Sequence, residues 1–409
     1  MKVVFITPVT PYKENMGGPS GHPYHLMIER PEGIEIVIYS FNDNHLSSSQ
    51  IEKIEQELNV TIKIVKRQRW IDMTLKYHLL FIRLCLKYPI IYYYKLPQKD
   101  INEINSIKPD GIWGYCEGMN SIMSQFKNIP KVLTPPDSVS LYYYRMLGYN
   151  YVFSNWKLYW RYVFMYNKYL KMEGSYSLDT KYHMVGQEDM RFLQKVNPNI
   201  NVFFLRHPHY NVNSLSSTLP RREGAFHQPK IKLLIAGQYN HYMKQDGDLL
   251  IKSLTPAPSP KEKGIEDFLQ KHYSFTFLGK GWEKHVETLR EAGYEVNHIT
   301  FAPDYIEEIV KHDIQITPIS IGTGTKGKVL DALANGLLVI GTPYALENIA
   351  VKHGESCIEY RHPQEVIEVL KDIPNNIHKY EMMAVEGQRQ VLTQHSRKKI
   401  SKELFSQFI

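Results

Sequence analysis

The clearest structural signal in this chain is Ile321-Gly-Thr-Gly-Thr-Lys-Gly-Lys-Val-Leu-Asp-Ala-Leu-Ala-Asn-Gly336. The pattern predicts a strand over 314–318, a glycine-rich loop, a short helix that ends at Gly336, and another strand. A glycine-rich turn that opens a helix directs backbone N–H groups and the positive end of the helix dipole to one point. With Lys326 and Lys328 beside it, this turn predicts a phosphate-binding site.

The same residues partly fit the P-loop pattern G-x-x-x-x-G-K, through Gly322, Gly327 and Lys328. A P-loop continues with Ser or Thr, whose hydroxyl binds magnesium, and Val329 stands there instead. The predicted strand over 337–342 also ends without an acidic residue that could hold the metal. A nucleoside triphosphatase is therefore disfavoured, and solvated lysines on an ordinary strand-loop-helix remain the alternative to a phosphate site.

The composition indicates a folded protein of more than one domain. The chain has 409 residues, of which 43% are hydrophobic and 22% charged, which is typical of globular proteins. Its three cysteines lie far apart without a C-x-x-C pair, which favours a reducing compartment. The first residues read as a strand rather than a signal peptide, and no apolar run approaches the ~20 residues needed to cross a bilayer. We expect a cytoplasmic protein that can lie on the inner face of the membrane.

Positive charge is concentrated in the first half of the chain. Residues 1–210 contain 25 Lys and Arg against 18 Asp and Glu, whereas the two classes are equal in the rest. Two stretches of this half, 67–95 and 142–171, are both basic and aromatic. They predict either helices that pack on a sheet or a surface that rests on anionic lipid. Nucleic-acid binding is disfavoured because the excess charge is modest and no nucleic-acid-binding motif is present.

Short apolar runs alternate with helical patterns along the whole chain, which predicts an α/β fold with parallel sheets. The predicted strands are 2–6, 35–39, 61–65, 111–113, 131–134, 183–185, 202–205, 232–236, 274–278, 295–299, 313–318, 337–342 and 357–360. Residues 211–229, rich in Ser, Asn, Pro and Arg, interrupt the series and are predicted to link two domains.

The glycine–lysine stretch, followed by Val-Ile-Gly-Thr-Pro-Tyr-Ala-Leu-Glu347, resembles the donor-site signature of family-4-like glycosyltransferases. The resemblance implies the GT-B fold, in which two Rossmann-like domains face each other across a cleft. It implies an acceptor domain over 1–212 and a nucleotide-sugar donor domain over 228–385. The helical tail, 386–409, is expected to pack back on the first domain.

The resemblance also implies which residues bind the donor. The diphosphate is expected between the backbone and lysines of the glycine-rich loop, the facing loop of Gly17 and Gly18, and Lys244. Asp331 is expected to bind a ribose hydroxyl, and Glu347 the ribose or the sugar. The full set of expected donor-binding residues is Gly17, Gly18, Lys244, Thr323, Gly324, Thr325, Lys326, Gly327, Lys328, Asp331 and Glu347.

Three positions depart from the family pattern. The usual Glu-x7-Glu pair falls on Thr323 and Asp331, so the first acid is missing. The arginine usual after Gly237 is replaced by Gln238. The histidine usual after the fifth strand is absent, and Asp137 is the nearest group able to orient an acceptor hydroxyl. Glu117, which follows the fourth strand, is the second catalytic candidate; as an alternative, it stabilises a helix N-terminus.

These features predict a hexosyltransferase-type enzyme that moves a sugar from a nucleotide sugar to a glycan or lipid-linked acceptor in cell-surface polysaccharide biosynthesis. Because lysines and N–H groups can stabilise the departing diphosphate, we expect neither a metal nor another cofactor. Retention of configuration is implied by the resemblance alone. The alternatives are a nucleotide-sugar epimerase of the same architecture and a non-catalytic sugar-nucleotide-binding protein.

Overall fold

The computed structural model describes residues 1–13, 18–209, 230–255 and 260–409. Within these ranges the chain forms two compact units, Met1–Pro208 together with Arg397–Ile409, and His209–Ser396. The predicted linker over 211–229 lies outside the described residues.

The first unit is built on a seven-stranded parallel sheet with the order β3-β2-β1-β4-β5-β6-β7. Its central strands are buried along almost their whole length, which is why their sequences are continuous apolar runs rather than alternating ones. The strands are β1 (Lys2–Thr7), β2 (Glu35–Ser40), β3 (Thr61–Ile64), β4 (Gly111–Tyr115), β5 (Lys131–Thr134), β6 (Lys181–Met184) and β7 (Asn201–Phe204).

Helices connect these strands, and several begin at the capping residues that the sequence provides. Ser47 and Gln50 form a capping box, and the side chains of Ser138 and Asn155 cap two later helices. The helices are α1 (Gly21–Ile28), α2 (Ser48–Leu58), α3 (Arg69–Lys76), α4 (Leu80–Cys85), α5 (Gln98–Ile107), α6 (Asn120–Met123), α7 (Val139–Leu147), α8 (Asn150–Phe153), α9 (Trp156–Gly174) and α10 (Gln187–Val196).

The second unit has a six-stranded parallel sheet with the order β10-β9-β8-β11-β12-β13. The strands are β8 (Ile231–Ala236), β9 (Tyr273–Leu278), β10 (Val296–Ile299), β11 (Ile314–Thr317), β12 (Leu338–Gly341) and β13 (Ile358–Glu359). The helices are α11 (Lys244–Leu254), α12 (Pro260–His272), α13 (Glu283–Glu291), α14 (Tyr305–Ile309), α15 (Gly327–Ala334), α16 (Pro343–Leu346), α17 (Pro363–Asp372) and α18 (Ile377–Gln394).

The last helix, α19 (Arg397–Phe405), belongs to the first unit and packs on α1. Ser401 donates a hydrogen bond to the carbonyl of Leu26, and Phe408 contacts Gly111 at the start of β4. The division therefore falls at residue 397 rather than at the expected 386, because α18 packs on α15 in the second unit.

All thirteen predicted strands are present, with ends within two residues of the expected ones, and both sheets are parallel in the described residues. In open parallel sheets, ligands bind at the carboxyl ends of strands where the strand order reverses. These points lie between β1 and β4 in the first unit and between β8 and β11 in the second. The loops that follow β4 and β11 carry Glu117 and the glycine–lysine stretch.

Candidate functional site

The glycine-rich loop connects β11 to α15 in the second unit, as the sequence predicts. Gly324 has a φ of 67° and Gly322 a φ of 149°, which side chains other than glycine rarely adopt. Lys326 occupies the N-cap of α15, and a lysine cannot accept a hydrogen bond from the first N–H groups of the helix. The loop therefore presents its backbone donors and the helix N-terminus at the carboxyl edge of the sheet.

Lys326 stabilises this loop from within. Its ammonium donates to the carbonyl of Thr323 at 2.7 Å and to that of Gly324 at 2.9 Å. Two of its three N–H donors thus hold the loop in shape, so this lysine has a structural role beside its expected role on phosphate.

Lys328, Asp331 and Tyr305 form a second group beside the loop. The Lys328 ammonium lies 5.6 Å from the centre of the Tyr305 ring. Loss of water on burial raises the pKa of the Asp331 carboxyl to about 7, against the opposing effect of Lys328. The Tyr305 hydroxyl is buried and has no hydrogen-bond partner among the described residues. Burial raises its pKa, and the negative charge of Asp331 adds to that effect.

The sequence did not indicate Tyr305, which is the first residue of α14 and lies between β10 and β11. A local sequence signal for the start of α14 was present, namely the N-cap residue Asp304. Its side chain accepts a hydrogen bond from the N–H of Glu307 at 2.9 Å. That cap fixes where α14 begins, next to α15.

Neighbouring loops fix the position of the glycine-rich loop. The Ser320 N–H donates to the carbonyl of Tyr242 at 2.7 Å, and the Asp246 N–H donates to the Ser320 hydroxyl at 2.9 Å. On the other side, the Thr342 hydroxyl donates to the carbonyl of Ile319 at 2.6 Å. The loops after β8, β11 and β12 are therefore joined at one edge of the sheet.

Lys244 and Glu347 lie next to these neighbouring loops, at the start of α11 and the end of α16. Lys244 begins α11 and pairs with Asp248 at 3.0 Å, while also donating to the Tyr239 hydroxyl at 3.0 Å. These hydrogen bonds raise its pKa, so the side chain is a cation. Glu347 is half-buried and follows α16 directly. Their expected contacts with phosphate and sugar stay predictions.

The two catalytic candidates come close together in the first unit. Glu117 follows β4 and Asp137 follows β5, and these strands are paired in parallel. Burial raises the pKa of Glu117, and the nearby Asp137 raises it further. Cys116 precedes Glu117 with a φ of 73°, an unusual value for a residue with a side chain. A strained backbone at a strand end is typical of positions where a side chain is aimed at a ligand.

A third carboxyl, Glu173, supports the Asp137 loop and was missed from the sequence. It lies on α9, is 1% exposed, and accepts from the Ser138 hydroxyl at 3.0 Å and the Ser140 N–H at 3.2 Å. It also accepts from the Ser140 hydroxyl. Burial raises its pKa to about 7 against these hydrogen bonds. Asp189 accepts from the Ser138 N–H at 2.9 Å, so two buried acids hold the residue that follows Asp137.

The expected phosphate contact in the first unit involves the loop after β1. Gly17 lies outside the described residues, and Gly18 occupies an exposed turn three residues before α1. At the start of α1, His22 Nδ1 lies 2.9 Å from the Tyr115 hydroxyl, and its ring stacks on His207. Burial lowers the pKa of His22 well below its ordinary value, so the histidine is neutral near pH 7.

Comparison with known proteins gives a family match for part of the chain and fold matches for all of it. Residues 262–406 match the family model described as glycosyl transferase-like. No curated protein matches in sequence.

Among solved structures, HepE from Anabaena in complex with UDP superposes with a TM-score of 0.61 at 12% identity, covering 99% of both chains. Sucrose-phosphate synthase from Thermosynechococcus elongatus gives 0.61 at 10% identity, covering 99% of this chain and 98% of that one. WaaG, a glycosyltransferase involved in lipopolysaccharide biosynthesis, gives 0.57 at 14% identity and 98% of both chains.

At these identities the structural matches establish the fold, and the family match adds the enzyme class. The predicted GT-B architecture and glycosyltransferase class are confirmed. Membership of family 4 stays a prediction, as do the roles of the individual site residues.

Proposed function

We propose that this chain, a glycosyltransferase of GT-B fold, transfers a sugar from a nucleotide sugar to a glycan or lipid-linked acceptor without a metal. The observation that carries the proposal is the glycine-rich loop with Asp331 and Tyr305 beside it at the carboxyl edge of β11. We further propose retention of configuration and a role in cell-surface polysaccharide biosynthesis. Retention rests on the sequence resemblance to family-4-like enzymes.

The loop suits a diphosphate leaving group. One further negative charge develops on the diphosphate, which already carries two, as the sugar bond breaks, and preorganised donors stabilise it in the transition state. The N-terminus of α15, the backbone of Thr323–Gly327 and the Lys328 ammonium supply such donors. Lys326 fixes the loop carbonyls, so that the N–H groups keep their direction without a bound ligand.

Asp331 and Tyr305 suit the ribose. The buried Tyr305 hydroxyl has no partner among the described residues, and a buried hydroxyl without a hydrogen bond is costly. A sugar hydroxyl between it and the Asp331 carboxyl would supply the missing partner. A uracil nucleotide is the first donor to test, because the HepE structures include complexes with UDP and with UDP-glucose.

The carboxyls of the first unit suit an acceptor hydroxyl. Asp137 and Glu117 lie at adjacent strand ends, and each could accept the proton or the hydrogen bond of the attacking hydroxyl. WaaG, by its description, acts in lipopolysaccharide biosynthesis, which makes cell-surface glycans the first acceptor class to test. A lipid-linked acceptor would bring the enzyme to the membrane surface, and the basic first half supports a peripheral position there.

Product analysis with a panel of nucleotide sugars, in the presence of EDTA, tests the proposal. We expect one donor to raise the melting temperature by mass action. The enzyme should release nucleoside diphosphate from this donor rapidly when acceptor is present, and slowly, by hydrolysis, when acceptor is absent. Conversion of the sugar without release of nucleotide would identify an epimerase. Donor binding without any product, across a panel of glycan and lipid-linked acceptors, would identify a non-catalytic binder, and a requirement for added metal would contradict the metal-independent mechanism.

A further inference from the structure

The connection between α7 and α9 exposes large aromatic side chains. Phe153 is 70% exposed, Trp156 68% and Trp160 61%, at the end of α8 and in the first turns of α9. Trp156 and Trp160 are four residues apart, so they share one face of the helix. Exposed apolar groups of this size that lie together mark an interaction surface. We call Tyr151, Phe153, Trp156 and Trp160 the aromatic end of the α7–α9 hairpin.

The charges around the aromatic end are of one sign. Between residues 138 and 172 the chain has no acidic residue and five basic ones, Arg145, Lys157, Arg161, Lys168 and Lys171. Lys157 and Arg161 are exposed on the same two turns as the tryptophans. Any partner that covers this surface must therefore accept aromatic rings and carry negative charge.

A second exposed apolar set lies against the same helix. Leu80 and Phe81 on α4 are 62% and 77% exposed. The Arg83 carbonyl on α4 accepts from the Lys168 ammonium on α9 at 2.5 Å, so the two helices are in contact. The segment 66–95 that contains α4 has seven basic residues and one acid, Asp72. The second set thus repeats the chemistry of the first.

The second unit lacks such a surface among its described residues. Its large exposed apolar side chains are Leu249, Phe301 and Met382, which lie on separate elements. The combination of exposed aromatic and basic residues is therefore specific to one part of the molecule. It is not a general property of the surface.

We propose that the aromatic end docks on an anionic phospholipid bilayer. Tryptophan and tyrosine are favoured at the membrane interface because their rings combine an apolar body with a polar group, and basic residues add attraction to anionic headgroups. No helix in the described parts of the chain is long and apolar enough to cross a membrane, and docking needs none. The inference deepens the proposed function, on which it rests for its lipid-linked acceptor.

The docking surface and the loop of Asp137 belong to the same helical hairpin, α7–α9. Asp137 lies just before α7, and Glu173 at the far end of α9 holds the same loop through Ser138 and Ser140. The aromatic end is at the opposite end of α9, about 25 Å from Glu173 at 1.5 Å per residue. The hairpin thus connects the lipid surface to the loop that is proposed to receive the acceptor.

Sedimentation of the full chain with vesicles tests the proposal. We expect binding to vesicles of phosphatidylglycerol and phosphatidylcholine, weak binding to phosphatidylcholine alone, and a steep loss with salt. Trp156→Ser with Trp160→Ser should lower the vesicle partition coefficient by at least tenfold. Lys157→Gln with Arg161→Gln should lower it by about 25-fold on anionic vesicles, at roughly fivefold per charge. Phe301→Ser, an equally exposed aromatic position in the second unit, is the matched control and should change nothing.

The proposal would be overturned if the unmodified chain did not bind vesicles, or if the tryptophan variant bound them as well as the unmodified chain. It would also be overturned if the unmodified chain were a dimer and the tryptophan variant a monomer, because the surface would then be a contact between copies. Calorimetric titration of UDP and melting curves on the same preparations separate this inference from the proposed function. UDP affinity should be unchanged in these variants. A failure of UDP to bind would count against the uracil nucleotide as donor and leave the vesicle result standing.

Discussion

The two units place different chemistry at the same position of similar sheets. In the second unit, the carboxyl edge at β11 has glycine-rich backbone, two lysines and one carboxyl. In the first unit, the edge at β4 and β5 has three carboxyls, Glu117, Asp137 and Glu173. The difference is the one expected from the ligands proposed for the two edges. A diphosphate needs donors and positive charge, whereas a neutral acceptor hydroxyl needs an acceptor for its proton.

The two edges are also stiffened by different means. Lys326 holds its own loop through two backbone carbonyls, so one side chain both shapes the site and contributes charge. The Asp137 loop is instead held from outside, by Glu173 and Asp189 on other helices. Substitutions at the two edges should therefore separate binding of the donor from transfer of the sugar.

The largest effect is expected at the carboxyls of the first unit. Asp137→Asn should lower kcat for sugar transfer by about 100-fold or more, because general acid–base groups contribute 10²–10⁴-fold. Glu117→Gln tests the second candidate by the same assay, and the larger loss identifies the group that touches the acceptor hydroxyl. UDP affinity should be unchanged in both variants, with the exposed Glu188→Gln as control. If both variants keep full kcat, the catalytic assignment is wrong.

The lysines of the second unit should act on binding instead. Lys326→Ala with Lys328→Ala should weaken UDP binding by about 100-fold, since charge-assisted hydrogen bonds are worth about 1.5–3 kcal/mol each. Lys326→Ala alone should also lower the melting temperature, because the carbonyls of Thr323 and Gly324 lose their donor. Lys311→Ala and Lys352→Ala remove exposed, ion-paired lysines from the same unit and serve as controls. Unchanged calorimetric affinity in the double variant would refute the diphosphate assignment.

A substitution of Asp331 tests whether the proposed donor site has separate phosphate and ribose parts. Asp331→Ala should weaken UDP binding by about tenfold, as expected for the loss of a hydrogen bond to a charged group. Pyrophosphate binding should not weaken, because pyrophosphate has no ribose. Tyr305→Phe should give a smaller loss of the same kind. An equal loss for UDP and pyrophosphate would show that Asp331 acts through Lys328 and the loop rather than on the ribose.

The fold and the donor loop could be predicted because their determinants are local. Apolar runs and helical patterns mark each strand and helix, and the glycine–lysine stretch contains its whole loop within sixteen residues. Tyr305 had a local signal in the Asp304 cap, whereas Glu173 could not be found this way. Glu173 lies 36 residues after Asp137 in an aromatic helix, and only the packing of α9 on α7 brings it to Ser138.

Local sequence patterns also left open whether the two basic, aromatic stretches are buried or exposed. Helical spacing shows that Trp156 and Trp160 share a face, but it does not distinguish a buried face from an exposed one. The first turns of α9 are exposed, whereas Ile71 and Thr74 on the other basic, aromatic stretch are buried. Part of each stretch therefore packs on the unit and part of each is exposed. That the exposed part rests on anionic lipid stays a prediction.

The smallest expected effect is on the pH dependence of folding stability, and it can be measured at both edges. The pKa of Glu173 is about 7, against 4.5 for an ordinary glutamic acid, and that of Asp331 is about 7 against 3.8. Between pH 4 and 7 the folded chain therefore keeps protons that the unfolded chain releases. Stability contributed by these groups is complete below their ordinary pKa values and is lost as the pH rises towards 7.

Glu173→Gln should remove the loss of stability at rising pH in the first unit. The amide stays neutral at all pH values and can still pair with Ser138 and Ser140. The pH dependence of the melting temperature between pH 4.5 and 8 should become flatter by a few degrees, since a shift of this size corresponds to about 3 kcal/mol. Asp331→Asn should flatten it in the second unit, and bound UDP should reduce the effect of Asp331 but not that of Glu173. If the melting temperature of Glu173→Gln keeps its full pH dependence, another group binds the titrating proton. Glu117 would be the first group to test, because its charge raises the pKa of Glu173.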